Sequence, residues 1–67
     1  MMTLTINGER QTMDGPLTVR SLLDRLGLPA KKIAVERNLE IVPRSAYDRV
    51  GLTEGDRIEI VHFVGGG

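Results

Sequence analysis

The chain has 67 residues, no cysteine, one histidine, and nine basic side chains balanced by nine acidic ones. A chain of this length forms one small domain, burying about 60% of the surface of its unfolded form, with no room for an enclosed active-site cleft. Without cysteine it has no disulfide, thiolate nucleophile or cysteine metal site, and one histidine cannot build a zinc site. We therefore expect no bound metal or cofactor and no catalysis by the chain alone.

The charge and hydropathy patterns also limit the partners. No basic block is longer than Lys31-Lys32, so the footprint of a nucleic-acid-binding protein is missing. No apolar run approaches the roughly 20 residues of a membrane span, and no charged-then-apolar leader indicates secretion. We expect a cytoplasmic protein that contacts neither nucleic acid nor membrane.

The first elements form a predicted hairpin. Residues 3–6 alternate polar and apolar side chains, which is typical of a half-buried strand. Asn7-Gly8 follows, the pair that best tolerates the two positive φ angles of a type I′ turn. Residues 9–13 return as a strand that is polar enough to lie at the edge of a sheet.

A short helix is the next predicted element. Thr18 is placed to cap its first turn, with Leu17 positioned to pack onto Leu22, and Gly27 is a natural residue to end it. Apolar residues recur between them with helical spacing, which predicts one buried stripe on a helix of about two turns. The stripe consists of Val19, Leu22, Leu23 and Leu26.

The sequence of the second half of the chain predicts strands joined by turns. Residues 33–35 and 39–42 are short apolar runs, separated by Asn38 as a left-handed turn residue. Tyr47 lies in a weakly helical stretch, and we interpret it as a packing residue with a solvated hydroxyl. Residues 57–64 form the final predicted strand.

This element order predicts the fold class. It is β-β-α-β-β-β, or β-β-α-β-β if the third and fourth strands pair weakly. One helix must then cover one face of a mixed sheet of four or five strands, with the first and last strands side by side. The prediction is an α+β fold of the ubiquitin-like β-grasp type, a single domain over residues 1–67.

The C-terminal stretch is the feature that indicates function. An apolar, β-prone run passes directly into Gly65, Gly66 and Gly67. Glycine loses the most backbone entropy on ordering, so it is a poor choice for a segment that must only stay folded. It suits a slim, flexible tail over residues 64–67 that slides into another protein's active site. We therefore hypothesise that the terminal carboxyl of Gly67 is the reactive group.

The strand before the tail has two predicted faces. Ile58 and Ile60 share one face and anchor the strand in the core, while Val61 and Phe63 point to the other. With Val64 they form an apolar patch at the base of the tail. A contiguous apolar patch beside a functional end is typical of a docking surface.

Several segments resemble the ThiS family, the sulfur carriers of thiamin (thiazole) biosynthesis. They are VERN at 35–38, EIVPR at 40–44, Gly55-Asp56, and IEIVHFVGGG at 58–67. A Gly-Gly terminus alone is weak, but its combination with these segments in a chain of this length is specific. The similarity extends over essentially the whole chain.

The resemblance implies a function in which partner enzymes perform the chemistry. A ThiF-type, E1-like adenylyltransferase would use ATP to adenylate Gly67. A sulfur-transfer enzyme would then supply the sulfur for a thiocarboxylate, which the thiazole synthase ThiG would consume. Gly67 is the reacting residue of the family motif and Gly66 the glycine before it. Gly65, Val64 and Phe63 correspond to the adjoining tail and partner surface.

Three other functions fit some of the same features. The small subunit of molybdopterin synthase also ends in Gly-Gly and carries a thiocarboxylate, although such chains are usually longer. A ubiquitin-like modifier would join Gly67 to protein lysines. A plain interaction module would have a chemically inert tail.

Overall fold

A computed structural model describes residues 1–62 of the chain. Five strands and one α-helix make up this part, with 3₁₀ turns at Ala30–Lys32 and Arg44–Ala46. In chain order they are β1 (Met2–Ile6), β2 (Glu9–Met13), α1 (Val19–Leu26), β3 (Ile33–Arg37), β4 (Glu40–Val42) and β5 (Arg57–His62). The five-strand alternative of the predicted order is therefore confirmed.

The strands form one mixed sheet in the order β2-β1-β5-β3-β4. β1 and β5 are parallel neighbours, and every other pairing is antiparallel. Parallel neighbours need a long crossover, which here includes α1 and the β3–β4 hairpin. The predicted ubiquitin-like β-grasp fold and the adjacency of the first and last strands are confirmed.

The predicted hairpin turn lies between β1 and β2. Asn7 and Gly8 have φ angles of 50° and 82°, the two positive values that a type I′ turn requires. The strands pair in register from Ile6 with Glu9 to Met2 with Met13, and β2 forms the edge of the sheet.

The helix begins and ends at the predicted residues. The Thr18 hydroxyl accepts a hydrogen bond from the Ser21 N–H at 3.1 Å, and the Thr18 N–H donates to the Ser21 hydroxyl at 2.8 Å. These reciprocal bonds satisfy two N–H groups at the helix start. Gly27 is left-handed, with φ of 73°, and its N–H donates to the Asp24 carbonyl.

The core lies between the helix and one face of the sheet. Val19, Leu22 and Leu23 of the predicted helical stripe are fully buried, and Leu26 packs against the core from a half-buried position. The buried apolar side chains of the described residues are Leu4, Ile6, Leu17, Val19, Leu22, Leu23, Ile33, Val35, Val42, Tyr47, Leu52, Ile58 and Ile60.

Tyr47 belongs to this core, and the prediction of a solvated hydroxyl was wrong. Its side chain is buried, and the hydroxyl donates a long hydrogen bond of 3.4 Å to the carbonyl oxygen of Ile33. A buried tyrosine needs such a partner because an unpaired hydroxyl would lose its bonds to water. Tyr47 thereby ties the crossover to the start of β3.

The turn between β3 and β4 also differs from the prediction. Asn38 is left-handed as expected, with φ of 51°, but Leu39 is left-handed too, with φ of 72°. Leu39 is therefore the second turn residue, and β4 begins at Glu40. A residue with a Cβ is strained in this conformation. The apolar character of Leu39 indicated a strand residue, and its side chain instead extends into solvent.

We expect Leu39→Gly to stabilise the protein. The left-handed conformation costs a residue with a Cβ about 1–2 kcal/mol. The extra unfolded-state freedom of glycine offsets about 0.4–1 kcal/mol of the relief. A net gain of roughly 0.5–1 kcal/mol should be measurable by urea denaturation. Leu39→Ala is the matched control: it also removes the exposed side chain but keeps the Cβ, so it should give no gain. Equal stabilities of the two variants would contradict the strain.

Candidate functional site at the end of the last strand

The predicted tail follows a strand at the centre of the sheet. β5 lies between β1 and β3, with two strands on each side of it. Residues 63–67, called the C-terminal segment below, come directly after it in the sequence. They include all five predicted site residues, Phe63, Val64, Gly65, Gly66 and Gly67, and lie outside the described residues. β5 is the described element that precedes the candidate site in the sequence.

The middle of β5 is held by apolar packing. Ile58 is completely buried and Ile60 is 8% exposed, and both belong to the core cluster. Ile60 lies opposite Val35 of β3, another core residue. The prediction that these two isoleucines fasten the strand to the fold is confirmed.

The start of β5 is fixed by a group of polar contacts, called the Asp56 network below. The Asp56 carboxylate accepts hydrogen bonds from Arg37 Nε at 2.8 Å and Asn38 Nδ2 at 3.0 Å. It also accepts from the Thr53 N–H at 2.8 Å and the Thr53 hydroxyl at 3.1 Å. One buried carboxylate thus joins the turn before β5 to the end of β3.

These donors outweigh the cost of burying the charge. Burial by itself raises the pKa of Asp56, because it disfavours the charged form. The hydrogen bonds from the Thr53 N–H, Arg37, Asn38 and the Thr53 hydroxyl lower it further than burial raises it, to about 2 from 3.8. Asp56 therefore stays ionised at neutral pH, and its ion pair with Arg37 persists.

Asn38 adds a second contact to the start of the strand. Its side-chain Oδ1 accepts a hydrogen bond from the Arg57 N–H at 2.9 Å. The backbone N–H of Asn38 donates to the Arg57 carbonyl at 2.8 Å. The left-handed turn residue between β3 and β4 therefore binds both backbone groups of the first residue of β5.

Asn7 makes the corresponding contact near the other end of the strand. Its Oδ1 accepts from the Ile60 N–H at 2.7 Å, and its Nδ2 donates to the Ile60 carbonyl at 3.3 Å. We call this pair of bonds the Asn7 clamp. Sequence reasoning identified Asn7 only as a turn residue, because nothing local to Asn-Gly indicates a contact with a strand so far along the chain.

The sheet face opposite the helix carries apolar and acidic side chains on β3, β4 and β5. Val61 is 58% exposed, which confirms that it points away from the core, and it lies opposite Ala34. In the next row Glu59 faces Glu36, and Glu36 faces Ile41, which is 75% exposed. Carboxylates directly opposite each other repel. Ile41 is an exposed apolar residue, although its sequence pattern predicts only a position in a strand.

The described residues hold no cluster of side chains suited to a metal ion. Within residues 1–62, no group of three or more His, Asp or Glu side chains is placed to hold a metal ion. In the same range every buried side-chain nitrogen or oxygen has a hydrogen-bond partner, so no buried polar group waits for a ligand. No helix there is long and apolar enough to cross a bilayer.

Comparison of the sequence with known proteins identifies the family of this chain. The sequence model of the ThiS family matches residues 4–67, almost the entire chain. The chain belongs to the ThiS family. A curated member, the sulfur carrier protein ThiS of Bacillus subtilis, is 50% identical over 50 residues, which cover 75% of this chain and 76% of that protein.

Solved and longer relatives agree with this assignment. The crystal structure of the thiamine biosynthesis protein ThiS from Geobacter metallireducens superposes with a TM-score of 0.86 at 40% identity. That match covers 98% of this chain and 100% of the other. A thiazole synthase from Paramagnetospirillum magneticum is 53% identical over 66 residues. The match covers 98% of this chain but only 20% of the length of that synthase.

The Asp56 network predicts a specific dependence of stability on pH. The pKa of Asp56 is lower in the folded protein than in the unfolded chain. Its contribution is therefore complete above about pH 4–5 and is lost as the pH falls toward 2. The free energy of unfolding should drop by about 2 kcal/mol over this window from this residue alone.

Asp56→Asn is the matched control for that measurement. The amide has nearly the same size and does not titrate, so the other carboxyl groups contribute equally in both proteins. Urea denaturation between pH 5 and 2 should show a steeper loss for the native chain than for the variant. Parallel pH profiles would contradict the assignment of the lowered pKa to Asp56.

Proposed function

We propose that this chain is a sulfur carrier of thiamin biosynthesis and that the carboxyl of Gly67 carries the sulfur. The supporting observation is membership of the ThiS family over residues 4–67, with a B. subtilis relative named as a sulfur carrier. The composition favours a carrier over an enzyme, because the chain has no cysteine and a single histidine to act as nucleophile or base.

The proposed reaction starts with activation of a poor electrophile. A carboxylate oxygen of Gly67 attacks the α-phosphorus of ATP in a ThiF-type, E1-like adenylyltransferase, which forms an acyl-adenylate and releases pyrophosphate. A sulfur-transfer enzyme then supplies hydrosulfide, whose sulfur attacks the carbonyl carbon as the bond to AMP breaks, and the thioacid that forms loses its proton. The product is a thiocarboxylate at Gly67. ATP is bound and used by the activating enzyme, and this chain needs no cofactor of its own.

Glycine is suited to each of these steps. Gly67 has no Cβ, so the carbonyl carbon is unhindered toward the incoming sulfur. Three successive glycines span about 10 Å when extended, which is long enough to enter a narrow channel while the folded domain stays outside. Gly65 and Gly66 form this slim connection, and Phe63 and Val64 contact the partner at its base.

The acceptor of the sulfur is proposed to be a thiazole synthase of the ThiG type. The support is that the chain aligns with a segment of proteins that are themselves named thiazole synthases, at 53% and 46% identity. A carrier segment joined to a synthase in one polypeptide indicates that the two act on each other. We place the whole exchange in the cytoplasm, with ATP and the partner enzymes.

Intact-mass spectrometry tests the role of Gly67. The full chain is incubated with ATP, a ThiF-type enzyme and a sulfur-transfer enzyme with its sulfur source. We expect the mass gain of one sulfur-for-oxygen exchange in the native chain and none after deletion of Gly67 or in Gly67→Val. Both variants should keep the native free energy of unfolding, because the core residues named above all lie between Leu4 and Ile60.

The other outcomes identify the competing functions. Isopeptide-linked products would indicate a ubiquitin-like modifier, and an unchanged mass with every cognate enzyme would indicate an interaction module. A thiocarboxylate consumed by a molybdopterin synthase large subunit but not by a thiazole synthase would move the chain to the molybdopterin pathway. Normal sulfur loading of the Gly67 deletion would overturn the proposal.

Phe63→Asp tests the proposed contact at the base of the C-terminal segment. We expect weaker binding to the activating enzyme or the thiazole synthase, by tenfold or more, because an apolar anchor is replaced by a charge. Thermal stability should change little by comparison. Val61→Asp is the control for stability: the Val61 side chain is exposed, so a charge there should leave the thermal stability close to the native value. A large loss of stability in Phe63→Asp would instead place this side chain in the core.

A further inference from the structure

We propose that Asn7 is a positioning residue for the reaction at Gly67. Its side chain continues the pairing of β1 with β5 beyond the end of β1 and fixes the backbone of Ile60, near the end of the described strand that precedes Gly67 in the sequence. This role rests on the proposed function, because it concerns the presentation of the Gly67 carboxyl to the activating enzyme.

The first observation is that the backbone of β1 ends before β5 does. The two strands pair only at Thr5 with Arg57 and at Ile6 with Ile58. The Asn7 N–H then donates to the Ile58 carbonyl at 2.8 Å, and the chain turns back into β2. Ile60 is the next residue of β5 whose backbone faces this side.

The second observation is that the Asn7 side chain continues the pairing where the backbone stops. A primary amide has a carbonyl acceptor and an N–H donor, the same two groups that a neighbouring peptide unit would offer. The Asn7 clamp uses both, at 2.7 Å and 3.3 Å, on the N–H and the carbonyl of Ile60. Aspartate would keep the acceptor but has no donor for the Ile60 carbonyl.

The third observation is where the clamp acts. Ile60 is the last buried residue of β5, and the following Val61 and His62 are exposed. In the described part of the chain, those two residues are paired with β3 on one side only. Within residues 1–62, the clamp is therefore the last hydrogen bond between β5 and the β1 side. Without the clamp, the end of β5 is hydrogen-bonded only to β3, and its orientation relative to β1 is less restricted.

The turn and the clamp require the same residue. Asn7 has φ of 50°, a conformation that asparagine and glycine tolerate better than other residues. Glycine at this position would serve the turn but would have no side chain for Ile60. Asn7→Gly therefore removes the clamp without straining the backbone.

Asn38 offers a matched control at the opposite end of the same strand. It has nearly the same backbone angle, with φ of 51°, and its Oδ1 also accepts from a β5 N–H, that of Arg57, at 2.9 Å. It holds the start of β5 and contributes to the Asp56 network. Asn38→Gly should therefore lower stability while leaving the clamp on Ile60 intact.

Two measurements on the full-length chain separate positioning from stability. Hydrogen exchange should show the Ile60 amide exchanging about tenfold faster in Asn7→Gly than in the native chain, since its acceptor is gone. Steady-state adenylation by a ThiF-type enzyme should show kcat lowered about three- to tenfold in Asn7→Gly, because the carboxyl is misplaced relative to ATP. Asn7→Asp keeps the acceptor and lacks the donor, so exchange of the Ile60 amide should stay close to the native rate while kcat is intermediate.

The control and the native chain decide how the result is interpreted. In Asn38→Gly we expect kcat within twofold of the native value, even if its free energy of unfolding falls as far as that of Asn7→Gly. Equal losses of kcat in the two glycine variants, or no loss in Asn7→Gly, would overturn the positioning role alone. Failure of the native chain to be adenylated would overturn the proposed function, and the role of Asn7 with it.

Discussion

The parallel pairing of β1 with β5 is the contact on which the rest of the structure depends. Parallel neighbours cannot be joined by a tight turn, so the chain between them must cross over the sheet. This crossover supplies the helix that covers the core and the β3–β4 hairpin that closes the sheet on the other side. The last strand consequently becomes the central one, and the C-terminal segment follows from the best-supported part of the domain.

β5 is held by different forces along its length. Two buried isoleucines supply apolar packing in its middle, which is strong but does not fix direction. Polar contacts of defined geometry hold both ends, through the Asp56 network at the start and the Asn7 clamp at Ile60. Directional hydrogen bonds at the two ends give the strand a defined path as well as a stable position.

Features determined by neighbouring residues could be predicted from the sequence. The Asn7-Gly8 turn, the helix between Thr18 and Gly27, and the inward face of Ile58 and Ile60 all follow from local patterns, and all are confirmed. The ThiS resemblance was carried by short segments and agrees with the family match over residues 4–67. The site residues 63–67 were proposed from the same segments and stay predictions.

The remaining features depend on contacts between distant parts of the chain. The clamp on Ile60 and the donors around Asp56 require knowledge of which strands are neighbours, and no local pattern encodes it. The local sequence around Tyr47 predicts a solvated hydroxyl, because the partner of that hydroxyl, the Ile33 carbonyl, lies in another element. Leu39 was assigned to a strand by its apolar side chain, while its backbone conformation is imposed by the turn. In each case tertiary structure overrides a local preference.

The clamp also links the readiness of the chain end to the completion of folding. Asn7 and Ile60 are 53 positions apart, so their contact forms only after both ends of the chain have come together. Contacts of such long range close a large loop and are expected late in folding. A nascent or partly unfolded chain would have the same glycines but would lack this contact at Ile60. On the proposed role of Asn7, activation at Gly67 would then favour molecules that have finished folding, without a separate checkpoint.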